Sequence, residues 1–192
     1  MKGFARREFQ LVLLRRMADY RPELVEAAAA ALGSSRTEMR AVNARWQRMV
    51  RSPGFPDGRR RLAAVLGPPL SEEVRRTGDV ETAVARWPLA LWPDLLYEAV
   101  TGLNGVVLHE WLVRAEGVPV PAPPRAGGDL EPWSYVVGDM DRLFGGARHS
   151  AGEVPSRWHV EFAAGGTAYI AHFVWGLLQH VEPAEPSGGH GP

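Results

Sequence analysis

Residues 157–175 read Arg157-Trp-His-Val-Glu-Phe-Ala-Ala-Gly-Gly-Thr-Ala-Tyr-Ile-Ala-His-Phe-Val-Trp175. A two-residue hairpin turn needs positive φ at its central positions, and Gly165-Gly166 supplies it without steric cost. Pairing outward from that turn sets Phe162 opposite Tyr169, His159 opposite His172 and Trp158 opposite Phe173. Side chains alternate faces along a strand. One face therefore carries Trp158, Val160, Phe162, Tyr169, Ala171, Phe173 and Trp175 and must be covered. The other carries Arg157, His159, Glu161, Ala168, Ile170, His172 and Val174, with two imidazoles and a carboxylate within reach of one another.

A second hairpin is predicted over Asp94–Thr101 and Val106–Arg114, turning through Gly102-Leu-Asn-Gly105, since Asn-Gly is a strong hairpin signal. Parity puts Glu98 and His109 on one face with Leu96, Val107, Trp111 and Val113, and Tyr97 with Glu110 on the other. Val80–Trp87 reads as a further strand, which Pro88 and Pro93 confine to an edge or break. The Pro/Ala/Gly-rich stretch Gly117–Gly128 reads as a crossing loop. Asp129 can cap a helix over 131–144, whose apolar stripe is Trp133, Val136, Val137, Met140, Leu143 and Phe144.

The amino-terminal third has helical period. Phe9, Val12, Leu13 and Met17 share one face. Pro22 opens a second helix over 22–32, and Gly33 stops it. Ser35 and Glu38 have capping-box spacing for a third helix over 36–51, striped by Met39, Val42, Trp46 and Met49. A short helix follows from Arg59 to Leu66. The expected fold is α+β: a basic helical part, 1–66, packed beside an antiparallel sheet of four or five strands within 80–182, covered by the 131–144 helix. The expectation is a single domain over 1–182, with 183–192 a disordered tail.

Composition narrows the function classes. Cysteine is absent, which excludes disulfides and thiolate metal sites and suits a reducing cytoplasm. No apolar run approaches the roughly 20 residues of a membrane helix, and the start shows no apolar h-region, so neither membrane nor secretion is expected. All but one of the 22 Lys and Arg residues are arginine, a skew that points to a high-GC bacterium. Charge is segregated: residues 1–63 hold 14 basic and 6 acidic side chains, and 64–192 hold 8 and 16. That division fits either an acidic partner for the basic part or mutual neutralisation.

Three constellations carry chemistry. His159, Glu161 and His172 have the composition of a facial metal triad, with His-x-Glu on one strand and the second imidazole across the hairpin. Glu98 and His109 could act as a base with its orienting partner, or satisfy each other in a core. The 22–51 helix pair has the spacing of a helix-turn-helix, with Arg36, Arg40, Arg45 and Arg48 placed to meet phosphates and base edges. Phosphate-loop, dinucleotide-fold and nucleophile-elbow motifs are missing, so no cofactor is expected. The leading reading is a cytoplasmic, non-catalytic interaction or regulatory protein with a protein partner or self-association. A small metal-dependent enzyme or ligand-binding protein ranks second and a DNA-binding regulator third.

Overall fold

The computed structural model describes residues 4–102 and 105–184. Mixed α+β structure runs through two compact units, Met1–Val118 and Pro119–Pro192. The first unit holds α1 (Arg6–Met17), α2 (Pro22–Ala31), α3 (Arg36–Val50), α4 (Gly58–Leu66) and the strands β1 (Ser71–Thr77), β2 (Val80–Leu89), β3 (Trp92–Gly102) and β4 (Val107–Arg114). The second holds α5 (Val137–Leu143) and β5 (Arg148–Ala151), β6 (Arg157–Ala164), β7 (Thr167–Val174) and β8 (Leu177–Pro183). Each unit has its own four-stranded antiparallel sheet, and within each sheet the strands follow chain order. The two expected hairpins thus lie in different sheets, one per unit.

In the first unit, α1 is the buried helix: Phe9, Leu11, Val12, Leu13, Leu14 and Met17 are all within 4% exposure. Phe9 meets Tyr97 edge-on at 5.0 Å and Trp46 of α3 at 5.6 Å. These T-shaped contacts join the helical layer to the sheet by matching ring edge to ring face. Two long-range hydrogen bonds also tie this layer to the sheet. The Trp87 indole donates to the Gly67 carbonyl at 2.9 Å, and the buried Gln10 side chain accepts the Leu91 amide at 2.8 Å. Ser35 caps α3 by accepting the Glu38 amide at 3.1 Å, but the Glu38 carboxylate turns to Arg7 at 2.9 Å, so only half of the capping box forms.

The first sheet has one strand more than expected. Ser71-Glu-Glu-Val-Arg-Arg-Thr is too charged to resemble a strand, yet it pairs along its length with β2. Charge of this kind suits an edge, where it discourages pairing with other chains. The extra strand moves β2 to the interior, between β1 and β3. Pro88 is tolerated there because it sits where the β2–β3 register shifts, beyond the regular ladder that needs its missing N–H. The Leu-Asn part of the β3–β4 turn lies outside the described residues.

The second sheet confirms the hairpin register: Phe162 faces Tyr169, His159 faces His172 and Trp158 faces Phe173. Gly165 and Gly166 have φ of 59° and 82°, the double positive φ of a type I′ turn. Phe162 and Phe173 are 4% and 1% exposed, while Trp158 and Tyr169 stay half-buried. The cover is α5 together with the 127–130 segment. Phe144 lies 4.4 Å from Phe162, and Gly127 approaches so closely that a Cβ there would meet Phe162 and Tyr169 at 2.7–2.8 Å.

The covering helix is shorter than predicted, Val137–Leu143 rather than 131–144. Trp133 has φ 66° and cannot continue a helix, and Val136 is bridged to Leu177 beside β8. The cap is Asp139, whose carboxylate accepts the Val136 amide at 2.9 Å, rather than Asp129. Two strands beyond the expected hairpin complete the sheet. Arg148–Ala151 pairs with β6, and Leu177–Pro183 pairs with β7 through a turn at Trp175-Gly176, with φ of 51° and 74°. Of the expected 183–192 tail, Pro183 closes β8, and residues 185–192 lie outside the described residues. With Phe173 this deeply packed, Phe173→Ala should cost about 3–5 kcal/mol of unfolding free energy in a urea titration.

Candidate functional site

The outer face of the second sheet carries a row of three imidazoles. His159 on β6 is paired with His172 on β7, and His172 with His180 on β8. Ring centroids are 4.7 Å apart for the first pair and 5.8 Å for the second. The third member arrives through a bulge. Leu178 faces Phe173, so an unbroken ladder would set His180 opposite Ala171, on the covered face. The register shifts by one residue between His172 and Phe173, and His180 turns outward. The extra residue, Gln179, is fully buried; its side chain donates to the Leu177 carbonyl at 2.8 Å and accepts from the Trp133 indole at 3.1 Å.

Glu182, on the same strand as His180, is the carboxylate of this row. It shares a hydrogen bond with His172 Nε2 at 2.9 Å and lies 3.6 Å from His180 Nε2. Hydrogen bonding to His172 holds the Glu182 carboxyl below its ordinary range. His159 is also held below the ordinary imidazole value, first by burial and then by the neighbouring charges of His172 and Arg157. Glu161 shares the face but is engaged by Arg148 at 2.5 Å. The structure therefore brings His159 and His172 together, and adds His180 and Glu182 where Glu161 was expected. The second His-x-Glu string, His180-Val-Glu182, was the available signal. The imidazoles stand in a line rather than around a point. Among the described residues no group of three or more His, Asp or Glu side chains is arranged to hold a metal ion.

On the first sheet Glu98 and His109 share a face, but the described hydrogen bonds do not join them. Glu98, 4% exposed, accepts from Arg86 Nε at 2.8 Å and from Arg75 at 3.4 Å. Both arginines also reach Glu73, at 2.8 and 2.7 Å. Four alternating charges thus form a network. It accounts for a nearly buried carboxylate, which must otherwise lose its hydration uncompensated. His109 instead lies against Trp111, ring centroids 4.4 Å apart, and its pKa is lowered chiefly by burial. On the opposite face the Tyr97 hydroxyl donates to Glu110 at 3.0 Å, and Arg61 of α4 reaches the same carboxylate at 2.7 Å. Burial, then the Glu110 charge, pushes the Tyr97 hydroxyl well above its ordinary value.

The arginines of α3 divide. Arg36 pairs with Glu26 of α2, and Arg45 lies over the Phe4 ring at 5.8 Å. Arg40 and Arg48 are exposed, with no ion pair among the described residues.

No protein-family model and no curated protein matches the chain. A solved structure does, a Streptococcus mutans protein described as a "putative beta-lactamase inhibitor protein". The match has 11% identity and a TM-score of 0.30, and spans 67% of this chain and 83% of that one. A likeness at that level defines neither the fold nor the function of this chain. No helix among the described residues is long and apolar enough to cross a membrane.

The Glu98 network is open to test. Glu98→Gln keeps the shape and removes the central negative charge from two arginines. Chemical denaturation should show a loss of about 1–3 kcal/mol. The loss should shrink when Arg86 is already methionine, as expected if the two residues act as a unit.

Proposed function

We propose that the chain is a non-catalytic protein-interaction module acting through the outer face of its first sheet. One observation carries this reading: Trp111 lies tilted against His109 and both stay half-exposed, flanked by Leu96 and Val113 and by the Arg75–Arg86 network. Tryptophan and arginine are enriched among the residues that dominate binding energy at protein interfaces; tryptophan buries a large rigid area, and arginine supplies a planar fork of donors. The charges around them are already satisfied within the fold, so a partner need not compensate a bare carboxylate. A cytoplasmic setting in a high-GC bacterium belongs to the same proposal, supported by the missing cysteines and the arginine skew.

The expected outcome is that wild-type protein sediments as a complex, with itself or with a protein from its host extract, while folded Trp111→Ala/Arg75→Ala sediments as a free monomer. Unchanged sedimentation in the double variant would remove this face from consideration.

The exposed Arg40 and Arg48 support a second reading, a nucleic-acid contact through α3. Phosphate binding of that kind weakens steeply with salt. We expect no duplex binding at a physiological ionic strength of about 0.15 M. A gel shift under those conditions, abolished by Arg40→Ala/Arg48→Ala, would replace the interaction reading with a DNA-binding one.

A further inference from the structure

We infer that the His159–His172–His180 row is a proton-sensitive seam that loosens the second sheet on mild acidification. The geometry places three ionisable rings on adjacent strands, with ring centroids 4.7 and 5.8 Å apart. Each proton taken up after the first must enter beside an existing positive charge. The row has one carboxylate, Glu182, shared by His172 and His180. His159 lies at the far end of the row, beside Arg157, where its counter-charges are Glu182 and, more weakly, Glu153.

The remaining groups on this face do not relieve the row. From β5 come Arg148, already paired with Glu161, and the uncharged Ser150, which is opposite His159. From β7 come Ile170 and Val174, both apolar. The helix α5 lies on the opposite face, where Phe144 meets Phe162. Full protonation therefore sets three imidazolium rings and Arg157 against Glu182 and the weaker Glu153.

The direction follows from linkage. His159 in the fold sits below its ordinary value of 6.5, so the folded state favours the neutral ring. Its contribution to stability is complete above that ordinary value and is lost as pH falls through the folded one. Glu182 is held below its ordinary value of 4.5, so its contribution is lost only in more acid solution. The seam thus responds between these ranges, while the Glu182 anchor is still charged. Mechanically, β8 is an edge strand. Its start is tied down at Leu178, which accepts from the Trp133 amide and donates to the Tyr135 carbonyl, both at 2.9 Å. Its later half is held to β7 by the Glu182–His172 contact, so the part expected to yield is the β6–β7 pairing around His159 and His172.

Backbone amide exchange on the full chain, corrected for intrinsic rates, tests the seam between pH 7.5 and 5.5. Protection of β6 and β7 around His159 and His172 should fall severalfold. In His159→Gln that fall should largely vanish. An equal fall in wild type and variant, or a fall centred below pH 4.5, would overturn the inference. A variant that does not fold leaves a second measurement, imidazole titration of the wild type by NMR. His159 should titrate below free histidine, and titration at or above it would equally overturn the inference.

Discussion

Gly165 and Gly166 both hold positive φ, and the turn they form admits one pairing of β6 with β7. A slip by one residue would turn every side chain of one strand to the wrong face. A slip of β6 would take Phe162 out of the core and put His159 into it. The aromatic side must be covered, and α5 with the 127–130 segment does so. Gly127 is bare enough for its backbone to lie on the rings of Phe162 and Tyr169. The imidazole side inherits its order from the same pairing. Packing on one face and electrostatics on the other are thus two results of one register.

The bulge at Gln179 separates these two results locally. Leu177 and Leu178 enter β8 in the register the core requires, and the extra residue then resets the strand so that His180 and Glu182 face outward. Inserting one residue breaks the ladder and leaves polar groups to satisfy. The buried Gln179 amide provides for this by bonding Leu177 and Trp133. In the first sheet, polar burial is handled by charge pairing instead. Glu98 and Glu110 are drawn into the layer because arginines from β1, β2 and α4 accompany them.

The helices and the two hairpins were legible because their signals are local: apolar period, proline at a helix start, glycine pairs at turns. Parity within a hairpin was legible too, hence the correct faces for Tyr97 with Glu110 and for His159 with His172. What could not be read depended on neighbours in space. β1 looks like a charged loop and becomes a strand only because β2 offers it an edge. Trp133 looked helical by spacing, yet its amide is held by Leu178, which sets it in a left-handed conformation before α5 begins. His180 was lost because alternation cannot foresee a bulge. The Arg148–Glu161 pair was not foreseen because Arg148 lies on a strand whose polar sequence gave no strand pattern.

Both sheets are simple meanders, each strand pairing only with the strands before and after it in the chain. Every ladder therefore closes a short loop, and the entropy of closure is small and recovered at once by the pairing it allows. Contacts of this kind make for low contact order and rapid acquisition of structure. No strand waits, unpaired and adhesive, for a distant partner to be synthesised. The chain can complete its first sheet once Arg114 has emerged, before any residue of the histidine row exists, and a nascent chain with few open edges presents little surface for aggregation.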